Sequence, residues 1–162
     1  MENLFFDTFD GNKIFYRVWN FEKNKKTLII IHRGHEHSER LNNLAQDEKF
    51  LKYNIFAYDL RGNGYTEVKS SPNSMDYVRD LNSFVKHIKS EYQIKEEDIF
   101  IIANSIGGVI LSAYVHDFAP NIAGIALLAP AFEIKLYIPF AKQLITLLTK
   151  INKNAKVMSY VK

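Results

Sequence analysis

The 162-residue chain contains no cysteine, which excludes disulfide frameworks, thiolate metal sites, iron–sulfur clusters and a cysteine nucleophile. Long hydrophobic runs are missing too: no segment reaches the roughly 18 apolar residues that a membrane span needs, and residues 1–7 lack the basic-then-apolar order of a signal peptide. These absences predict a cytoplasmic protein without a transmembrane segment. Neither sign of charge dominates. The 21 basic and 18 acidic residues leave a net charge of +3, spread along most of the chain, and no basic stripe suits a nucleic-acid partner. What the chain does have is 47% hydrophobic and 14% aromatic side chains, core material for one globular domain over residues 1–162.

Patterning orders that material. Two short aromatic-rich runs, residues 4–9 and 13–19, flank an Asp10-Gly11-Asn12 turn signal and predict an N-terminal hairpin. The uninterrupted apolar run Thr27–Ile31 predicts a strand buried on both faces, as in parallel sheets covered by helices. From there helical and strand-like spacing alternate: a helix over residues 38–50, a strand over 55–58, a helix over 74–92, a strand over 98–103, a helix over 106–118 and a strand over 122–128. The alternation predicts an α/β fold, a doubly wound and mostly parallel sheet. Residues 131–162 differ. Lysines rim an apolar stripe at Ile138, Ala141, Leu144, Ile145, Leu148 and Ile151, which reads as an amphipathic helix, either packed on the sheet or serving as a lid or lipid-facing surface.

The segment Ala103-Asn104-Ser105-Ile106-Gly107 carries the most chemistry. A buried strand runs into a serine and straight on into a helix, with small residues at 103 and 107 where a tight turn would press backbones together. That is the context of a nucleophile elbow, although a serine between strand and helix also serves as a plain N-cap. Residues 32–37, directly after the apolar strand, are placed to present a backbone N–H to an oxyanion beside such a serine. The histidines His32, His35 and His37 alternate along a chain leaving a strand and so point in different directions, which argues for structural roles and no metal. Gly62-Asn63-Gly64 lacks the third glycine of a dinucleotide fingerprint, so no nucleotide cofactor is expected.

Taken together, His32-Arg33-Gly34-His35-Glu36-His37, Asp59-Leu60-Arg61-Gly62-Asn63-Gly64, the Ser105 segment and Leu127-Leu128-Ala129-Pro130 resemble the monoacylglycerol lipase and lysophospholipase (serine aminopeptidase-like) branch of the α/β-hydrolases. The arginine after His32, the alanine at 103 and the closing residues look closest to a bacterial subgroup sometimes fused to a methyltransferase. The resemblance implies a small-molecule acyl ester or lipid substrate and no cofactor. It implies Ser105 as nucleophile, with the amides of Gly34 and Ile106 as the oxyanion hole and Ala103, Asn104 and Gly107 shaping the elbow. Arg33 and His35 stand where the wider family has glycine.

In that fold the triad follows the chain order serine, acid, histidine. The only histidine after Ser105 is His116, beside Asp117. At about 1.5 Å per helical residue it lies roughly 16 Å along the axis from Ser105, whereas a general base must come within about 3 Å. We therefore expect an incomplete α/β-hydrolase domain, residues 1–130 forming the core and residues 131–162 the start of the lid region. Such a chain is expected to be nearly inactive alone. The alternative is a noncatalytic interaction module, or one half of a split hydrolase completed by a second polypeptide.

Overall fold

The structure is a computed structural model and describes residues 2–68 and 71–133. The hairpin pairs β1 (Glu2–Asp7) with β2 (Lys13–Trp19) antiparallel. Gly11 takes φ +74° at the turn, a region open to glycine without steric cost. Next come β3 (Thr27–Ile31) and β4 (Asn54–Tyr58), every residue of both buried, as uninterrupted apolar runs require. β5 (Ile99–Asn104) and β6 (Gly124–Leu128) complete a six-stranded sheet in the order β1-β2-β4-β3-β5-β6. β4, β3, β5 and β6 run parallel, whereas β2 meets β4 antiparallel.

Chain order explains both the layers and the site. The connection from β3 leads to β4 on one side; the connection from β4 then crosses β3 to reach β5 on the other. Right-handed crossovers in opposite directions put their helices on opposite faces. On one face α2 (Ser74–Glu91) and α3 (Ile106–Phe118) bury Leu81, Phe84, Ile88, Ile110 and Leu111 against Ile29, Ile31, Phe56 and Ile101. Each such aliphatic or phenyl group contributes about 1.5–3 kcal/mol. The other face is thinner, with Ala45, Leu41 and Phe50 over Trp19, Leu28, Ile30 and Ile55. The direction of winding reverses between β3 and β5, and crevices at the carboxyl ends of such strands are where α/β sheets bind ligands.

Boundaries differ from the sequence reading in several places, β1 running Glu2–Asp7 where residues 4–9 are expected. The helix expected over residues 38–50 is a 3-10 turn, Ser38–Leu41, followed by the one-turn α1 (Asn42–Ala45). Beyond it the Asp47 side chain accepts the Lys49 amide at 2.9 Å and its carbonyl takes the Phe50 amide, a local turn that competes with helix propagation. β5 starts at Ile99 because Glu96–Asp98 forms a 3-10 turn, and β6 starts at Gly124. Among the described residues β6 pairs only with β5, and it exposes Ile125 (44%), Leu127 (36%) and Leu128 (50%). The amphipathic stripe from Ile138 to Ile151 lies outside the described residues. Among the described residues no helix is long and apolar enough to cross a membrane.

Candidate active site

Ser105 sits between β5 and α3 with φ 55° and ψ −119°, a conformation that costs a non-glycine residue about 1–3 kcal/mol and must be held by its surroundings. Its amide donates to the Leu128 carbonyl at 3.0 Å, while its own carbonyl accepts the amides of Gly108 and Ala131 at 3.0 and 3.1 Å. The strained residue is thereby tied to its own helix and to the chain leaving β6. Ser105 makes no side-chain cap bond to α3, so its hydroxyl is not spent as an N-cap.

Small residues let the helix start there. A Cβ on Gly107 would stand 2.9 Å from Ile31 Cγ2 and 3.1 Å from the His32 carbonyl oxygen, and one on Gly108 would stand 2.8 Å from Pro130 Cβ. Ala103 is fully buried, its methyl accommodated in the core. Asn104, the last residue of β5, pairs with Leu128 in the sheet register. Ile106 is 38% exposed and opens α3, where first-turn amides have no intrahelical acceptor. Gly34 lies alongside: a Cβ there would be 3.7 Å from Ile106 Cγ2. The ends of β3 and β5 thus bring Gly34 beside Ile106, the residue after Ser105.

The segment carrying Gly34 is fastened to the segment after β4 at two points. His32, 1% exposed, accepts the Leu60 amide at Nε2 (2.9 Å) and has Nδ1 2.7 Å from the Arg33 carbonyl. Burial pushes its pKa below the ordinary histidine value. Farther along, the fully buried Asp59 carboxylate accepts the amides of Ser38 (2.6 Å) and Tyr65 (2.9 Å). Gly64 makes room for it, since a Cβ there would fall on the Asp59 carboxylate. Arg17, buried and with its guanidinium near the rings of Phe15 and Tyr65, donates to Ser38 Oγ. Arg61 forks onto Asp80 (2.5 and 2.6 Å) and Asp10 (2.7 and 3.0 Å), joining the hairpin turn to α2. Asp80 holds the Arg61 guanidinium above its ordinary pKa, and Arg61 holds the Asp10 carboxyl well below the usual carboxylate range.

The remaining candidates scatter. Arg33 is exposed and paired with Glu36 at 2.9 Å. His35 is exposed with φ 61°, a backbone region that suits glycine. His116 is exposed at the far end of α3, its Nδ1 2.7 Å from Asp117. Among the described residues no group of three or more histidine or carboxylate side chains could hold a metal. Sequence reasoning passed over the bonding roles of Asp59, Asp80 and Arg17. The available signal was a carboxylate or guanidinium inside or next to an apolar run, since such groups are buried only when paired.

Comparison with known proteins agrees with this architecture. The family model described as Serine aminopeptidase, S33 matches residues 22–162. The uncharacterized protein YnbC of Escherichia coli K12 is 37% identical across 98% of this chain, which spans 28% of that protein. The monoglyceride lipase of Rattus norvegicus is 32% identical across 75% of this chain and 40% of its own length. Among solved structures, the α/β hydrolase GrgF from Penicillium sp. sh18 superposes with a TM-score of 0.75 at 19% identity, covering 94% of this chain and 53% of that one. The esterase RhEst1 from Rhodococcus sp. ECU1013 gives 0.62 at 23% identity, covering 80% and 46%. The fold is that of the α/β hydrolases, and the chain belongs to the serine aminopeptidase S33 family, an esterase- and lipase-like group. It spans well under half the length of the curated relatives it matches.

Proposed function

We propose that this chain carries the nucleophile and oxyanion portion of a serine ester hydrolase acting on small acyl esters, monoacylglycerols and lysophospholipids being the substrate class. Ser105 Oγ attacks the ester carbonyl, and the amides of Gly34 and Ile106 receive the oxyanion. The observation that carries this reading is Ser105 itself: φ 55° and ψ −119° at the mouth of α3, with no cap bond and Gly34 beside Ile106. A stability-driven helix start does not keep a strained serine with an unused hydroxyl. Exposed Ile106, Leu128 and Phe132, close in sequence to Ser105 or to the residues bonded to it, provide apolar surface for an acyl chain.

Among the described residues no histidine is hydrogen-bonded to Ser105. His32 has both ring nitrogens engaged, and His87 and His116 bond Tyr16 and Asp117. We expect hydrolysis of short p-nitrophenyl esters by this chain to run barely above a Ser105→Ala control, because a serine without its base retains only the contribution of binding and the oxyanion hole. Stoichiometric chemistry provides the direct test. A fluorophosphonate probe, with imidazole in solution as base, should attach at Ser105 with loss of fluoride, and peptide mass mapping should find the adduct there and none in Ser105→Ala. Attachment elsewhere, or none, overturns the reading.

A second reading rests on β6. Its exposed Ile125, Leu127 and Leu128 and an outer edge without a strand partner among the described residues suit association with another chain. Light scattering at tens of micromolar tests it, and a stable monomer rules it out.

A further inference from the structure

We propose that His32 is a positioning residue for the oxyanion site: its Nδ1–H holds the Arg33 carbonyl, and the rigid Arg33–Gly34 peptide converts that hold into a fixed direction for the Gly34 N–H. The inference rests on the reading of Gly34 as an oxyanion donor.

Three observations carry it. First, the tautomer follows from the partners. The Leu60 amide 2.9 Å from Nε2 has only a proton to offer, so Nε2 accepts it and the ring proton sits on Nδ1. Nδ1 therefore donates to the Arg33 oxygen at 2.7 Å. Second, the carbonyl so held belongs to the same planar unit as the Gly34 N–H. Among the described residues no peptide bond is cis, and in a trans peptide C=O and N–H point in opposite directions. Pinning the oxygen toward the buried ring turns the hydrogen away from it. Third, the N–H so directed has no backbone or side-chain acceptor among the described residues, and its residue adjoins Ile106. An imidazolium would place a proton against the Leu60 amide, so the arrangement demands the neutral ring that burial already favours.

Two substitutions separate the two bonds. His32→Asn places an amide near the Nδ1 position and can still donate to Arg33; His32→Gln places its amide near the Nε2 position and can still accept from Leu60. The rate of Ser105 phosphonylation in the full chain, with imidazole as base, should fall about a hundredfold in His32→Gln, the scale of losing one oxyanion donor, and His32→Asn should recover most of that loss. Equal slowing of both variants overturns the proposal, because the ring then matters only for packing. Rates near wild type in both, or loss confined to His32→Asn, overturn it while leaving Ser105 as nucleophile. Failure of the unmutated chain to label overturns the nucleophile reading and this one with it. Long-range 1H–15N spectra of the unmutated chain give a check that does not depend on the variants folding: His32 should be protonated at Nδ1 only, and an Nε2–H tautomer defeats the inference.

Discussion

α2 and α3 lie on the same face of the sheet, yet their first residues are built to opposite ends. At α2, Asn73 has φ −86° and ψ 168°, accepts the amides of Met75 and Asp76 at 2.9 and 3.1 Å, and donates its own amide to Asp76 Oδ2 in return. That reciprocal box satisfies orphan donors at no conformational cost. At α3, Ser105 is strained and caps nothing, and its backbone is held instead by Leu128, Gly108 and Ala131. One helix start is spent on stability. The other gives up stability and keeps amides and a hydroxyl at the carboxyl end of the sheet.

The contrast can be broken most severely at Gly107. Gly107→Val forces side-chain atoms into Ile31 and the His32 carbonyl, and urea unfolding should show a loss of up to about 3 kcal/mol, whereas the capped start of α2 has no such close approach to lose. Acid should separate the two starts next. His32 is depressed by burial, so the native state stays neutral while the unfolded chain takes up a proton. Its contribution is present above the unfolded pKa, about 6.5, and is lost as pH falls toward the lower folded value, at up to about 1.4 kcal/mol per pH unit. His87, also depressed by burial, adds the same sign. Urea midpoints between pH 7 and 5 should show the slope, reduced in His32→Asn; an unchanged slope removes His32 from it.

Removing the side chains at the two starts should have opposite signs. Ser105→Gly relieves a backbone that glycine adopts freely and should raise stability by about 1 kcal/mol while ending phosphonylation. Asn73→Ala should lower stability by about 1 kcal/mol through loss of the cap, leaving the labelling rate alone. Thermal melts of the pair check both, and equal signs would dissolve the comparison. The effect confined to the narrowest pH window lies at the hairpin turn: Asp10, held low by Arg61, contributes stability above the unfolded carboxylate pKa, about 3.9, that fades as pH falls through its folded value. Asp10→Asn should flatten the midpoint curve below pH 4 only.

Much of the layout was legible before any coordinates. Thr27–Ile31 reads as a doubly buried strand and is one, and β5 running into α3 at Ser105 follows from an apolar run, small residues and renewed helical spacing. Residues 38–50 read as one helix because Leu41, Leu44 and Ala45 keep the spacing, but spacing does not register a side chain such as Asp47 stealing an amide. Nor could spacing show Asp59 and His32 stitching the loop after β3 to the loop after β4, because those bonds join residues on different strands.

The sequence by itself determined the alternation of elements, the absence of cysteine chemistry and the family motifs, since these are local or compositional properties. Only the tertiary structure decided that β4 and β5 flank β3, that Gly34 therefore meets Ile106, and that His32 carries its proton on Nδ1. Each of these depends on a partner distant in the chain, and the physical choice lies in the pairing: an amide that only donates selects the nitrogen that must accept it.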